Sequence, residues 1–134
     1  MLSIKTYLYL VLLLLSTSIF FVHTTALRLF WYWSFPWLDV LVHAAGGFLV
    51  AVGGFLAYLV MDGNLLPKRR FLVLGILSPL FVGALWELFE YYFGISVAEE
   101  HLVFDTAVDL TMDVVGGCAG VWFGTFLENR VRIH

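Results

Sequence analysis

The chain has 134 residues, 62% of them hydrophobic and only 13% charged, with a mean hydropathy of +0.96 and a formal net charge of −3. A water-soluble domain of this size lacks the interior volume to hide so much apolar surface, so the composition excludes one. It indicates instead a single compact all-α membrane domain over residues 1–134, an integral four-helix transmembrane bundle.

Four apolar segments follow one another, each long enough to cross a hydrocarbon core of ~30 Å at a rise of ~1.5 Å per residue. The first runs from about Tyr7 to Leu27 behind Lys5. It is too long for a signal-peptide core, and no small-x-small site is evident near His23-Thr24-Thr25-Ala26, so it is expected to be an uncleaved span. His23 reads as peripheral. Trp31, Trp33 and Trp37 then form an interfacial aromatic belt.

The second span, about Trp37 to Met61, starts behind Pro36, a favoured first position of a helix. Lys68-Arg69-Arg70 reads as a topology determinant rather than a nucleic-acid patch. The third span covers about Phe71 to Phe93, with a kink expected at Pro79. An acidic loop with Glu99, Glu100 and a solvated His101 leads to the fourth span, about Thr106 to Leu127. In that span Gly116, Gly120 and Gly124 recur every four residues and mark close helix packing. The lone Cys118 reads as a small packed residue and allows no intrachain disulfide. The terminal His134 carries no signal.

Orientation follows from the cations. Lys5, Lys68, Arg69, Arg70, Arg130 and Arg132 fall on one side of such a bundle, and Arg28 alone falls on the other. The rule that cytoplasmic loops collect Lys and Arg predicts both termini inside, in the cytoplasmic membrane of a cell.

The charges inside the spans coincide in depth. Asp39 and His43 on the second span, Glu90 and Glu87 on the third, and Asp109 and Asp113 on the fourth fall at matching heights, with Asp105 at the surface. Asp39, Glu90 and Asp109 lie about 5 Å below the outer interface, and His43, Glu87 and Asp113 about 10 Å below it. Helical phase puts Asp39 and His43 on the face of Gly46 and Gly53, and Asp109 and Asp113 on the face of Gly116 and Gly120. The acids are therefore expected to point into the bundle.

An anion at such depth costs at least ~2.5–3.5 kcal/mol unless paired or hydrated. The second, third and fourth spans contain no Lys or Arg. The negative charge must be cancelled by protons, a bound cation or a cationic ligand. Oxygen-rich ligands with one imidazole suit Mg²⁺, Mn²⁺, Ca²⁺ or Zn²⁺. The candidate metal ligands are Asp39, His43, Glu87, Glu90, Asp109 and Asp113, with Asp105 peripheral, and His43 and Glu87 are the candidate acid–base groups.

These residues form the pattern D-x-x-x-H (Asp39, His43), E-x-x-E (Glu87, Glu90) and D-x-x-x-D-x-x-G-x-x-x-G (Asp109, Asp113, Gly116, Gly120). The pattern resembles the VanZ-like membrane proteins, and more closely their YjdF-like relatives, over the second to fourth spans. In the VanZ-like pattern the place of Glu90 is commonly Gln and that of Asp113 commonly Asn. The resemblance implies a small multi-span protein of the cell envelope, the founding member being linked to glycopeptide resistance. The two extra acids here add negative charge and favour a cation.

Three functions fit. The site binds, or acts on, a lipid head group or another phosphate-bearing envelope lipid through a divalent metal. Alternatively the acids serve a proton or cation carrier, as an oligomer. In the third reading they are interhelical hydrogen-bond glue in a structural protein.

Overall fold

The structure is a computed structural model and describes residues 3–61, 68–95 and 102–132. Glu99, Glu100, His101 and His134 lie outside the described residues. Among the described residues all regular structure is helical, and four helices are long and apolar enough to cross a membrane.

The first span is α1 (Ile4–Arg28), longer at both ends than hydropathy alone suggests. Ser3 caps it, its Oγ accepting the Thr6 N–H at 3.1 Å. Its polar residues are neutralised locally: Ser16, Ser18 and Thr24 donate their hydroxyls to carbonyls one turn back. Phe30, in the left-handed region at φ 58°, ends the span and turns the chain into the short α2 (Trp31–Ser34). The second span is α3 (Trp37–Met61).

The third span is composite: α4 (Lys68–Leu72), a π-helical turn (Val73–Leu77) and α5 (Ser78–Phe93). The kink expected at Pro79 thus takes the form of a wider turn just before it. Proline has no N–H and its ring crowds the carbonyl four residues back, which here belongs to Gly75. The π-turn opens that region, and Ser78 gives both its amide and its hydroxyl to the Val73 carbonyl. Cys118 on the fourth span donates its thiol to the Gly75 carbonyl, with Sγ at 3.7 Å. Gly94, at φ 65°, closes α5, and Ile95 N–H reaches the Glu90 carbonyl at 2.9 Å. The fourth span is α6 (Leu102–Arg132).

The central pair is α3 and α6, which share the most extensive contact in the bundle. Their backbones touch. A methyl group added at Gly47 would strike the Asp113 carbonyl, one at Gly116 the Ala44 carbonyl, and one at Gly120 the Phe48 carbonyl. The α4–α5 span packs on this pair from one side and α1 on α3 from another. Gly117 is pressed against the Gly75 carbonyl and the Pro79 ring. Leu8, Val52, Phe55, Leu56 and Leu59 form the apolar core, with Gly124 seated on the Phe55 ring. Leu13, Leu14, Phe21 and Trp122 are exposed, an apolar surface suited to lipid.

Overpacking at such contacts costs about 1–3 kcal/mol. Gly116→Ala and Gly117→Ala are therefore expected to lower the melting temperature of the detergent-solubilised protein. Gly53→Ala is the control, because its added methyl meets only Leu12 at 3.9 Å. There the better helix propensity of alanine, about 1 kcal/mol, is expected to hold or raise the melting temperature.

Candidate functional site

The site lies where α1 and α5 end and where α3 and α6 begin. Spacing on each helix sets the first level of order: Asp39 and His43 are one turn apart, as are Asp109 and Asp113, and as are Glu87 and Glu90. The glycine contacts set the second. Because Gly47 and Gly116 let α3 and α6 meet at their backbones, His43 and Asp113 are brought side by side, with Nδ1 and Oδ2 3.2 Å apart. The Asp113 carboxylate also rests against Gly83 of α5, where any β-carbon would displace it, and lies 3.9 Å from the Cβ position of Gly46. A carboxylate from one helix thus fills notches left by small residues on two others.

His43 is 4% exposed, Asp109 3% and Asp113 5%. The second ring nitrogen of His43, Nε2, faces Glu87 Oε1 at 3.6 Å and Asp39 Oδ1 at 3.9 Å. Both distances exceed hydrogen-bond length. His43 Nε2 and Glu87 Oε1 are buried and, among the described residues, lack a hydrogen-bond partner. The other Glu87 oxygen accepts the Thr106 hydroxyl at 2.7 Å, and Glu90 accepts the Trp86 indole N–H at 2.9 Å.

Two sets of donor atoms converge, Asp39–His43–Asp109 and His43–Glu87–Glu90, each with one ligand atom per residue and all within 4.8 Å of one another. Ligands at 2.3–2.6 Å from a hard cation such as Ca²⁺ lie no more than about 5 Å apart, so either set is dimensioned for one ion. His43 belongs to both. Asp113 belongs to neither and instead engages the far nitrogen of the imidazole. Asp105 is half-buried one turn before Asp109 and also falls outside both sets.

Sequence reading missed a second group beside this cluster. His23, read there as peripheral, is partly buried; its Nδ1 is 2.7 Å from the Tyr32 hydroxyl and its ring meets Trp86 edge-on at 5.2 Å between centroids. Burial, then the charges of Asp39 and Glu90, push the Tyr32 phenol up from its ordinary range, so it stays protonated. Trp86 was legible in principle, since it precedes Glu90 by four residues on one helix. Tyr32 was not, because its position depends on the turn at Phe30. Glu128, at the other end of α6, is also buried, 5% exposed, and engages other groups.

A family model described as "Predicted membrane protein (DUF2238)" matches residues 2–130, and the chain belongs to that family. No curated protein and no solved structure matches it.

The Thr106 bond ties α6 to α5 at the site. Thr106→Val leaves a buried carboxylate oxygen without its donor and is expected to cost about 1–3 kcal/mol in detergent unfolding. Thr111→Val serves as the control, because the Thr111 hydroxyl bonds only the Ala107 carbonyl of its own helix. Its effect is expected to stay within about 0.5 kcal/mol.

Proposed function

For this member of a membrane-protein family, we propose that the cluster binds one divalent cation, Mg²⁺, Mn²⁺, Ca²⁺ or Zn²⁺. The bound ion then holds the phosphate of a lipid head group. The observation that carries the reading is the buried face-to-face pair of His43 Nε2 and Glu87 Oε1, both without a hydrogen-bond partner among the described residues. Each such group costs about 1–3 kcal/mol while unsatisfied. A cation between them satisfies both.

The Asp113 contact supports the same reading. An imidazole that gives its Nδ1 proton to a carboxylate presents a bare, correctly oriented lone pair at Nε2, the usual arrangement behind a metal-ligating histidine. Asp113 is then an orienting residue, and the ligands are His43 with carboxylates drawn from Asp39, Glu87, Glu90 and Asp109. Where the ion is held by Asp39, His43 and Asp109, Glu87 is the group left to take a proton from a bound substrate.

The same proposal sets the site in the outward half of the cytoplasmic membrane, with both termini inside. The distribution of Lys and Arg supports it. The VanZ-like and YjdF-like motif pattern supports a role in the cell envelope. The competing reading, acids as interhelical glue, draws on the Thr106–Glu87 bond and the His43–Asp113 contact.

Elemental analysis of the purified protein after loading with each of the four ions separates the two. Wild type is expected to hold about one ion per chain, as either donor set would accept. His43→Ala, which removes the ligand common to both sets, is expected to hold none, and Glu87→Gln, which leaves the Asp39–His43–Asp109 set, to bind more weakly. Asp113→Asn is expected to bind about 10–100-fold more weakly, as for loss of an orienting partner. Affinity is expected to fall as pH falls, because the ligands must shed protons to bind. Wild type that stays metal-free under all four ions sinks the proposal in favour of glue. Cysteine-accessibility labelling at Lys5→Cys and Asn129→Cys checks the topology: both are expected to react only from the cytoplasmic side.

A further inference from the structure

Beside the carboxylate cluster lies a half-open cavity of about 350 Å³ between α1, α3 and α5. It exists because α1 and α5 both pack on α3 and make no extended contact with each other. The volume is in the range of small-molecule sites. Its shape and polarity are more specific than its size.

On α3 the cavity extends from Val42 to Val50, and on α1 from Ser16 to His23. At ~1.5 Å per residue these stretches are about 10–12 Å long, most of the ~15 Å depth of one leaflet's hydrocarbon. The long axis follows the helices and so stands along the membrane normal. Polarity is confined to one end. There His23, His43 and Asp113 contribute to the wall; towards the middle of the membrane the lining is aliphatic, and the Ser16 hydroxyl is engaged by the Leu13 carbonyl. At the polar end the His23 and Trp86 rings meet across the gap. The gap between α1 and α5 is therefore bridged at the level of the cluster and left open at hydrocarbon depth.

We infer that this cleft is a hydrocarbon-chain subsite, which receives one chain of a phosphate-bearing membrane lipid entering sideways from the bilayer. The inference rests on the cation reading for the head group, which would lie at the His43 end; the chain subsite itself rests on the cleft. A cleft that spans most of the depth of a leaflet's hydrocarbon, polar at one end and apolar along its length, matches the orientation that a lipid already has in the membrane. His43 and Asp113 form the wall common to the cleft and the acidic cluster, so a lipid seated in the cleft has its head beside the proposed ion.

The test uses the full chain in phosphatidylethanolamine–phosphatidylglycerol vesicles containing a trace of phosphatidylglycerol with a photoactivatable diazirine on one chain. After irradiation, peptide mass spectrometry maps the adducts. Labelling is expected to concentrate on Phe20, Val50 and Val82 in the cleft over Leu13, Phe21 and Trp122 on the outer surface, which are as exposed as Phe20 and more exposed than Val50 and Val82. Val82→Trp fills the cleft away from the cluster, and Ser16→Leu does so from α1, should the first variant fold poorly. Either is expected to reduce cleft labelling about tenfold, one decade in binding constant, with metal content unchanged. Labelling spread in proportion to exposure, and unmoved by both variants, overturns the subsite. Metal content is measured on the same samples. An ion without cleft preference leaves the cation reading standing alone, and cleft preference without an ion leaves the chain subsite standing alone.

Discussion

The structure depends on the direct backbone approach of α3 and α6. Bulky side chains would hold two transmembrane helices 8–10 Å apart. Here Gly47, Gly116 and Gly120 remove the side chains from the seam, and the carbonyls of Ala44, Phe48 and Asp113 occupy the space. With no hydrophobic force between helices inside a bilayer, such close packing is what holds them. The site is a consequence of that packing: only at this separation does a carboxylate as short as that of Asp113 reach the His43 ring. Gly83 repeats the device on α5, giving room to the same carboxylate.

Much of this was legible in the sequence because both the hydrophobic runs and the glycine spacing are one-dimensional signals. The spans follow from hydropathy, and their second, third and fourth members fix the heights of Asp39, His43, Glu87, Glu90, Asp109 and Asp113 by counting residues. Donor atoms from these helices converge, but each set draws on both of the expected levels and Asp113 falls in neither. What was not legible depends on contacts between segments that share no period. His23 meets Tyr32 only because the chain reverses at Phe30, a bulky residue in a conformation that sequence rules reserve for glycine. The π-turn at Val73–Leu77 follows from Pro79 in kind but not in form, since a straight kink would satisfy the same residue. Cys118 looked like filler, yet its thiol reaches the Gly75 carbonyl, four residues before Pro79.

The balance of donors and acceptors weighs against ionised carboxylates serving as glue alone. Asp39, Glu87, Glu90, Asp109 and Asp113 present ten oxygens, two each. Among the described residues, the side-chain donors that reach them are Thr106, Trp86 and the His43 ring. Glue requires donors and acceptors in comparable number, and helices joined for strength alone need one such bond apiece at roughly 0.6 kcal/mol. Carboxylates gathered far beyond the available donors are a stability cost, which cations or protons must offset for the bundle to persist. Glu87 shows the imbalance within one side chain: one oxygen holds a hydrogen bond and the other, buried, holds none among the described residues.

The position of the His43–Asp113 pair gives the imbalance a direction. On one side of the pair lie Asp39, Glu87, Glu90 and Asp109; on the other lies the apolar cleft, whose lining includes both members of the pair but none of those four acids. The pair thus stands between the acidic cluster and the apolar cleft. The backbones behind it are locked by glycine, so the pair cannot yield without separating α3 from α6. On the proposed reading, a ligand that touches both faces of the pair is polar at one end and apolar at the other.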